Sequence, residues 1–224
     1  MYQTPNTRCA QRIHAATFAQ SVRTLGISAV ETEAKSGDLA REIAITTAGF
    51  GKRVMLINAR ELSEYGVTGG TARDFLKGAI DSNEGILDVR IVRGSDAQRT
   101  INDRSALHAL LTELAELIDA IVFDLPAHDE EMPAVYGPIA ALVLDSVMLV
   151  AMPSVTPTIK LKEAVSWLRE SGAVIAAIVL NDRYNPTLGD EIIREFRRIS
   201  KYFPFLQRLI EAQVAAFPAL NRHH

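Results

Sequence analysis

The sequence predicts an α/β fold: a doubly wound, mainly parallel sheet of about seven strands with helices on both faces. Two observations lead to this prediction. Short apolar runs alternate along the chain with longer segments in which apolar residues recur at helical spacing. The first alternation, residues 26–62, has the pattern strand, turn, helix, strand, which is typical of a βαβ unit in a parallel sheet.

The composition is that of an ordinary globular chain. Its 224 residues are 48% hydrophobic and 23% charged, which suits one domain over residues 1–224 with a full core. A net charge of −3 gives no bulk attraction to nucleic acid or anionic lipid. The single cysteine, Cys9, excludes an internal disulfide. Because there is no membrane-length apolar stretch and no signal-peptide pattern, we expect a cytoplasmic protein without a nucleic-acid partner.

The first 24 residues are predicted to form an N-terminal extension and a helix. Residues 1–6 are expected to be disordered. A helix is expected over 7–24, with Ile13, Phe18 and Val22 among its apolar positions.

The βαβ unit is predicted in detail. Apolar residues 25–30 form the first strand, and a polar turn follows at 31–37. The helix has apolar positions at Leu39, Ile43, Ala44 and Ala48 and ends at Gly49–Gly51, before a second strand at 54–57.

The rest of the chain continues the alternation. We predict a polar loop at 61–71, helices at 72–79, 103–117, 155–171 and 188–200, and strands at 87–92, 118–124, 146–150 and 173–180. The apolar face of the 103–117 helix would contain Leu107, Leu110, Leu111, Leu114 and Leu117. The 173–180 strand is expected to be buried.

The turn at 31–37 is where a phosphate site would lie in such a unit, between the first strand and its helix. A phosphate-binding loop has the pattern GxxxxGK[ST], because its glycines let backbone N–H groups surround the phosphates. This sequence keeps Lys35 and Ser36 but has Ala29 and Ala34 where the glycines belong. Taken alone, the Lys-Ser pair also fits an ordinary helix N-terminus with a solvated lysine.

Several strings resemble the bacterial tyrosine autokinases of capsular and exopolysaccharide synthesis, which belong to the ParA/MinD-like P-loop proteins. The family's turn is roughly SxxPGEGKST, and Ser28, Glu33, Lys35 and Ser36 match it. Residues 51–57, GKRVMLI, are nearly identical to the family's GKRVLLI.

The resemblance continues beyond the phosphate loop. Residues 118–127 resemble YDYVIIDTPP, a strand that ends in the Walker B aspartate, here Asp124. Residues 146–181 resemble a later part of the family that ends in an asparagine, here Asn181. The tail at 206–218 resembles the ending of ParA/MinD relatives.

This resemblance implies a nucleotide site. Lys35 would reach the β and γ phosphates and Ser36 would bind Mg²⁺. Asp124 would hold the metal or its water, and it is the catalytic candidate if the chain is active. Asn181 would bind the edge of adenine, although an asparagine in a turn is an equally good interpretation.

The chemistry departs from the family. Thr32 and Ala34 replace loop glycines, and Thr32 at positive φ would cost about 1–2 kcal/mol. Glu31 replaces a proline and would repel a nearby phosphate charge by about 3 kcal/mol. Asn58 and Arg60 replace the two acids of the family's IDAD string, and an amide cannot act as a general base.

Two further family features are incomplete. Related kinases carry ExxRxxR on a helix that joins subunits into a ring; here Thr17 and Gln20 replace two of those residues and only Arg23 remains. The usual C-terminal tyrosine cluster is reduced to Tyr202.

We therefore predict a catalytically degenerate relative of the tyrosine autokinases. It would act as a partner or regulator of an inner-membrane polysaccharide co-polymerase or export protein and reach the membrane only through that partner. No cofactor is expected unless the site still works with ATP and Mg²⁺, and a homo-oligomer is possible. Two alternatives remain: a residual ATP-binding autokinase or ATPase that uses Lys35, Ser36 and Asp124, and a ParA/MinD-type positioning or assembly protein.

Overall fold

A seven-stranded sheet organises the structure, a computed structural model that describes residues 5–82, 84–153 and 155–181. The strands are β1 (Thr24–Ala29), β2 (Val54–Ser63), β3 (Ile80–Asp81), β4 (Ile86–Val92), β5 (Ala120–Asp124), β6 (Ser146–Ala151) and β7 (Ile175–Leu180). Their spatial order is β3-β4-β2-β5-β1-β6-β7. Strands β4, β2, β5, β1 and β6 pair in parallel, and β3 runs antiparallel to β4. The predicted mainly parallel α/β sheet is confirmed.

Helices connect these strands. They are α1 (Pro5–Ala16), α2 (Ser36–Gly49), α3 (Ala72–Gly78), α4 (Asp96–Ile101), α5 (Arg104–Leu114), α6 (Gly137–Val143) and α7 (Thr158–Glu170), and a one-turn 3₁₀ helix spans Thr32–Ala34. None of the described helices is long and apolar enough to cross a membrane.

The central strands are buried on both faces. Met55, Ile57 and Phe123 belong to a core that also contains residues of α3 to α7. Leu56 and Val122 point to the other face, where they are also buried. Burial of consecutive residues explains why these strands read as continuous apolar runs.

The contacts divide the chain into two units, residues 1–151 with 156–179 and residues 152–155 with 180–224. Every residue of the phosphate loop and of β1, β2 and β5 lies in the first unit. The expected single domain over 1–224 stays a prediction. The predicted helix at 188–200, Tyr202 and the tail at 206–218 lie outside the described residues.

The N-terminal helix is shorter than predicted. It ends at Ala16, and residues 17–21 form turns. The start of β1 is held by Asp145, whose carboxylate accepts hydrogen bonds from the N–H groups of Arg23 and Thr24, at 2.8 and 2.9 Å. Thr17, Gln20 and Arg23, which stand at the positions of the family's ExxRxxR motif, therefore do not lie on a helix. Thr17 is buried, and its hydroxyl donates a hydrogen bond to the Ile13 carbonyl.

Three other boundaries differ from the prediction. β2 continues to Ser63, so the predicted loop at 61–71 begins inside the strand. Helix α4 occupies a polar stretch where no helix was predicted, and the Ser95 side chain caps it. Helix α5 ends at Leu114, so Leu117 lies outside the helix and is 48% exposed.

The predicted burial of the last described strand is wrong. β7 lies at the end of the sheet order, and Ile178 and Leu180 on it are exposed. Among the described strands, β7 has a neighbour on one side only, which its apolar sequence does not reveal.

Candidate nucleotide site

The candidate site lies at the carboxyl ends of β1, β5 and β2, which are adjacent in the sheet. Asp124 at the end of β5 is paired in register with Ile27 of β1 and with Asn58 of β2. The loop of residues 30–35 connects β1 to α2 at the same edge. In parallel sheets this edge is where ligands bind, and the sequence prediction placed Lys35, Ser36 and Asp124 here.

The phosphate loop has a conformation that the sequence did not predict. Thr32, Glu33 and Ala34 form a 3₁₀ turn, and Lys35 has φ 49° and ψ 53°. Among the described residues, Lys35 is the single non-glycine with positive φ. The expected strain at Thr32 is therefore wrong: a β-branched residue avoids the left-handed region, and the turn transfers that conformation to Lys35.

The closed turn uses backbone donors that a phosphate loop needs. The Thr32 N–H donates to Asp129 Oδ1 at 2.9 Å, the Ala34 N–H to the Glu31 carbonyl at 3.0 Å, and the Lys35 N–H to the Thr32 carbonyl at 3.5 Å. Phosphate loops bind through backbone N–H groups that point together at the ligand. Because these three N–H groups already have protein acceptors, the loop in this conformation does not fit the phosphates of a nucleoside triphosphate.

Glu31 does not oppose phosphate in the way its sequence position suggests. Its side chain is buried, with Oε2 accepting a hydrogen bond from Thr156 Oγ1 at 2.8 Å and Oε1 one from Lys160 Nζ at 3.2 Å. The hydrogen bond from Lys160 to Glu31 raises the pKa of that lysine. The carboxylate charge is paired with an ammonium group, so the predicted repulsion of about 3 kcal/mol is an overestimate.

Ser36 and Asp124 meet as predicted. Ser36 Oγ donates to Asp124 Oδ1 at 3.1 Å, and both side chains are buried. Burial raises the pKa of Asp124 to about 6, against the opposing effects of the Ser36 hydrogen bond and the Arg60 charge. These are the two residue types that hold Mg²⁺ in P-loop proteins, whereas no group of three or more His, Cys, Asp or Glu side chains in the described chain could hold a metal ion.

Gly37 contributes to this contact in a way that sequence reasoning missed. A Cβ at Gly37 would lie 2.7 Å from Asp124 Oδ2. The absence of a side chain is what lets the carboxylate lie against the first turn of α2. The only signal in the sequence is that a glycine follows Lys35-Ser36 where the family has a threonine.

Asn58 and Arg60 make local structural contacts. Asn58 Oδ1 accepts a hydrogen bond from the Glu61 N–H at 3.0 Å, within the β2 irregularity between Asn58 and Leu62. Arg60 Nη2 donates to the Thr32 carbonyl at 2.9 Å. Arg60 therefore supplies a cation that contacts the phosphate loop.

Asp129 is a second residue that the sequence prediction missed. Its Oδ1 accepts hydrogen bonds from both the N–H and the hydroxyl of Thr32, at 2.9 and 3.0 Å. It lies in the segment after β5, where the acidic run 129–131 was the only available signal.

Two predicted residues, Lys35 and Asn181, remain. Lys35 is exposed and takes part in no ion pair between described residues. Asn181 directly follows β7 and belongs to the second unit, so its role at the adenine edge stays a prediction.

Comparison with known proteins identifies the fold class. No family model and no curated protein matches the sequence. Among solved structures, the chimerical protein CapA2B2 aligns with a TM-score of 0.66 and 15% identity over 80% of this chain and 85% of its own. The kinase domain of the Escherichia coli tyrosine kinase ETK gives 0.60 and 16% over 78% and 74%.

The MinD cell division protein of Aquifex aeolicus gives a TM-score of 0.55 and 16% identity over 71% of this chain and 69% of its own. At these identities the comparisons establish the fold alone. The chain has the fold shared by bacterial tyrosine kinase domains and ParA/MinD ATPases, in agreement with the resemblance in its sequence.

Proposed function

We propose that this protein is a catalytically degenerate relative of the polysaccharide tyrosine autokinases and works by binding a partner. The main support is the phosphate loop, whose N–H groups at Thr32, Ala34 and Lys35 are hydrogen-bonded to protein acceptors. A loop arranged in this way offers few donors to a triphosphate.

The second-strand residues support the same proposal. The Asn58 amide cannot take a proton from an attacking hydroxyl, and its oxygen is already bonded to the Glu61 N–H. Loss of a general base alone lowers a rate by roughly 10²–10⁴. Arg60 carries a positive charge where the family has an acid. Both changes remove chemistry while leaving the sheet intact.

Residual ATP binding is the second candidate function. The Ser36–Asp124 contact of 3.1 Å favours it, because this pair keeps the arrangement that Mg²⁺ requires. A ParA/MinD-type positioning or assembly role is supported by the similarity of the fold to MinD, but no contact in the candidate site favours it.

Calorimetry with ATP and Mg²⁺ on the purified chain separates the first two candidates. We expect no binding, or a Kd weaker than about 100 μM, because phosphate must first break the hydrogen bonds of the closed loop. The Lys35→Ala variant should give the same heat as the parent. Micromolar binding that Lys35→Ala abolishes would contradict the proposal.

The partner we propose is an inner-membrane polysaccharide co-polymerase or export protein, a choice that rests on the resemblance. The contact would involve the N-terminal helix and the 61–71 segment. Arg73, exposed at the start of α3, lies next to that segment. Arg73→Glu should reduce co-purification of a membrane partner, with Arg104→Glu on α5 as a control for charge. Unchanged co-purification with every membrane protein would exclude this surface.

A further inference from the structure

Thr32 is held from two sides by residues outside its own loop. Its carbonyl accepts a hydrogen bond from Arg60 Nη2 at 2.9 Å. Its N–H and its hydroxyl both donate to Asp129 Oδ1, at 2.9 and 3.0 Å. We call this arrangement the Thr32 clamp: Arg60, Thr32 and Asp129.

The clamp joins three separate parts of the sheet edge. Arg60 comes from β2, Thr32 from the turn after β1, and Asp129 from the segment after β5. All three of its hydrogen bonds have a charged partner, which makes them stronger than hydrogen bonds between neutral groups. A turn stabilised by its own residues alone would not need anchors from β2 and from the segment after β5.

We propose that the Thr32 clamp is an autoinhibitory contact that keeps the phosphate loop closed, and that releasing it restores triphosphate affinity to this site. The inference rests on the proposed function, in which the parent chain binds no nucleotide in its closed state. It attributes the lack of nucleotide binding to Arg60 and Asp129 as well as to the replacement of glycines by Thr32 and Ala34.

The physical argument concerns the donors. While the clamp holds, the Thr32 N–H points at Asp129, and the Thr32 carbonyl is fixed where it also accepts from the Lys35 N–H. Release of Thr32 frees its own N–H and lets the 3₁₀ turn open, so the Ala34 and Lys35 N–H groups lose their internal acceptors and can meet an anion. Ser36 and Asp124 stay in place because their contact does not involve the clamp.

The clamp is also accessible. Arg60 lines an open cleft of about 710 Å³, together with Arg93, Glu130 and Met132. A ligand in this cleft could compete for the Arg60 guanidinium without entering the phosphate loop.

The test uses the full chain with Arg60→Ala, Asp129→Ala and both together. Glu131→Ala and Arg93→Ala are matched controls, since each removes the same kind of charge nearby without contacting Thr32. Amide hydrogen exchange of the loop is measured without nucleotide, and ATP–Mg²⁺ binding is measured by calorimetry. Thermal melting confirms that each variant is folded.

We expect exchange of the loop amides at 32–35 to rise about tenfold or more in each clamp variant and not in the controls. The double variant should bind ATP at least about tenfold more tightly than the parent. Loop exchange that stays at the parent rate would overturn the inference, as would faster exchange with no gain in ATP affinity. Micromolar ATP binding by the parent would instead contradict the proposed function. The clamp would then be tested by whether the double variant binds ATP more tightly than the parent.

Discussion

Asp124 carries an ionisable carboxyl group in a buried position, which is unfavourable for its charged form. Its carboxyl group is buried and its pKa is raised from 3.8 to about 6, chiefly by burial. An acid whose folded pKa lies above its unfolded pKa is harder to ionise in the folded state. The shift destabilises the fold by about 3 kcal/mol once both states are ionised. This penalty develops as the pH rises from about 4 to about 6 and is complete above that.

Asp124→Asn should therefore stabilise the protein at pH 7.5 by about 1–3 kcal/mol and have little effect at pH 4.5. An asparagine oxygen can still accept the Ser36 hydrogen bond, so the local geometry is preserved. Denaturant unfolding at the two pH values measures the difference. Asp103→Asn, at the exposed N-cap of α5, keeps its capping function and is the control for removal of a carboxylate at an exposed position. A loss of stability at pH 7.5 would contradict the argument.

Sequence reasoning succeeded for some residues and failed for others for a physical reason. The resemblance placed Ser36 and Asp124 at one edge of the sheet, and the structure brings their side chains into contact there. Glu31 was misjudged because its partners, Thr156 and Lys160, are more than a hundred residues away in the sequence. Asp129 was missed for the same reason, since nothing local shows that it bonds Thr32.

Among the elements, α1 contacts α2 and its C-cap through the buried side chain of His14. His14 is 6% exposed, its Nδ1 lies 3.1 Å from Thr47 Oγ1, and its ring stacks on Phe50 with centroids 4.3 Å apart. Burial, and then the charge of Lys52, lower the pKa of His14 from 6.5. The folded state disfavours protonation of His14. The stability that this contact contributes is therefore complete above pH 6.5 and is lost as the pH falls toward the pKa of His14 in the folded state.

We expect α1 to exchange its amides faster at pH 5.5 than at pH 7.5, after correction for intrinsic rates, while α5 does not change. His14→Gln should remove this difference because glutamine does not titrate and can still bond Thr47. His108→Gln, on the exposed face of α5, is the matched control. Equal protection of α1 at both pH values in the parent would show that His14 does not control the contact.

The elements also show what apolar periodicity misses. The boundaries of α2 and β5 were predicted well, because glycines end α2 and burial defines β5. α4 was missed because six residues are too few for a helical period, although Ser95 is a sound N-cap. β2 was cut short because its bulge between Asn58 and Leu62 breaks the apolar run.

At the scale of the whole molecule, the fold and the site depend on different features of the sequence. The sheet order and parallel pairing follow from apolar runs and crossover helices, which mutations in the loops do not alter. The phosphate loop depends on a few glycines and acids, which are individually replaceable. A chain can therefore keep the fold of a kinase while Thr32, Asn58 and Arg60 serve structural roles.

This separation makes a prediction for the intact protein in its cell. If it works by binding a partner, Lys35→Ala and Asp124→Asn should each restore surface polysaccharide to a deletion strain as well as the parent does. Lys35 is exposed without an ion pair to a described residue, and Asp124→Asn preserves the Ser36 contact, so both variants should fold. Polysaccharide is quantified with the protein level checked in parallel. The same substitutions in an active kinase would remove phosphate contacts or metal binding. Failure of Lys35→Ala to complement at normal abundance would mean that the protein works through nucleotide.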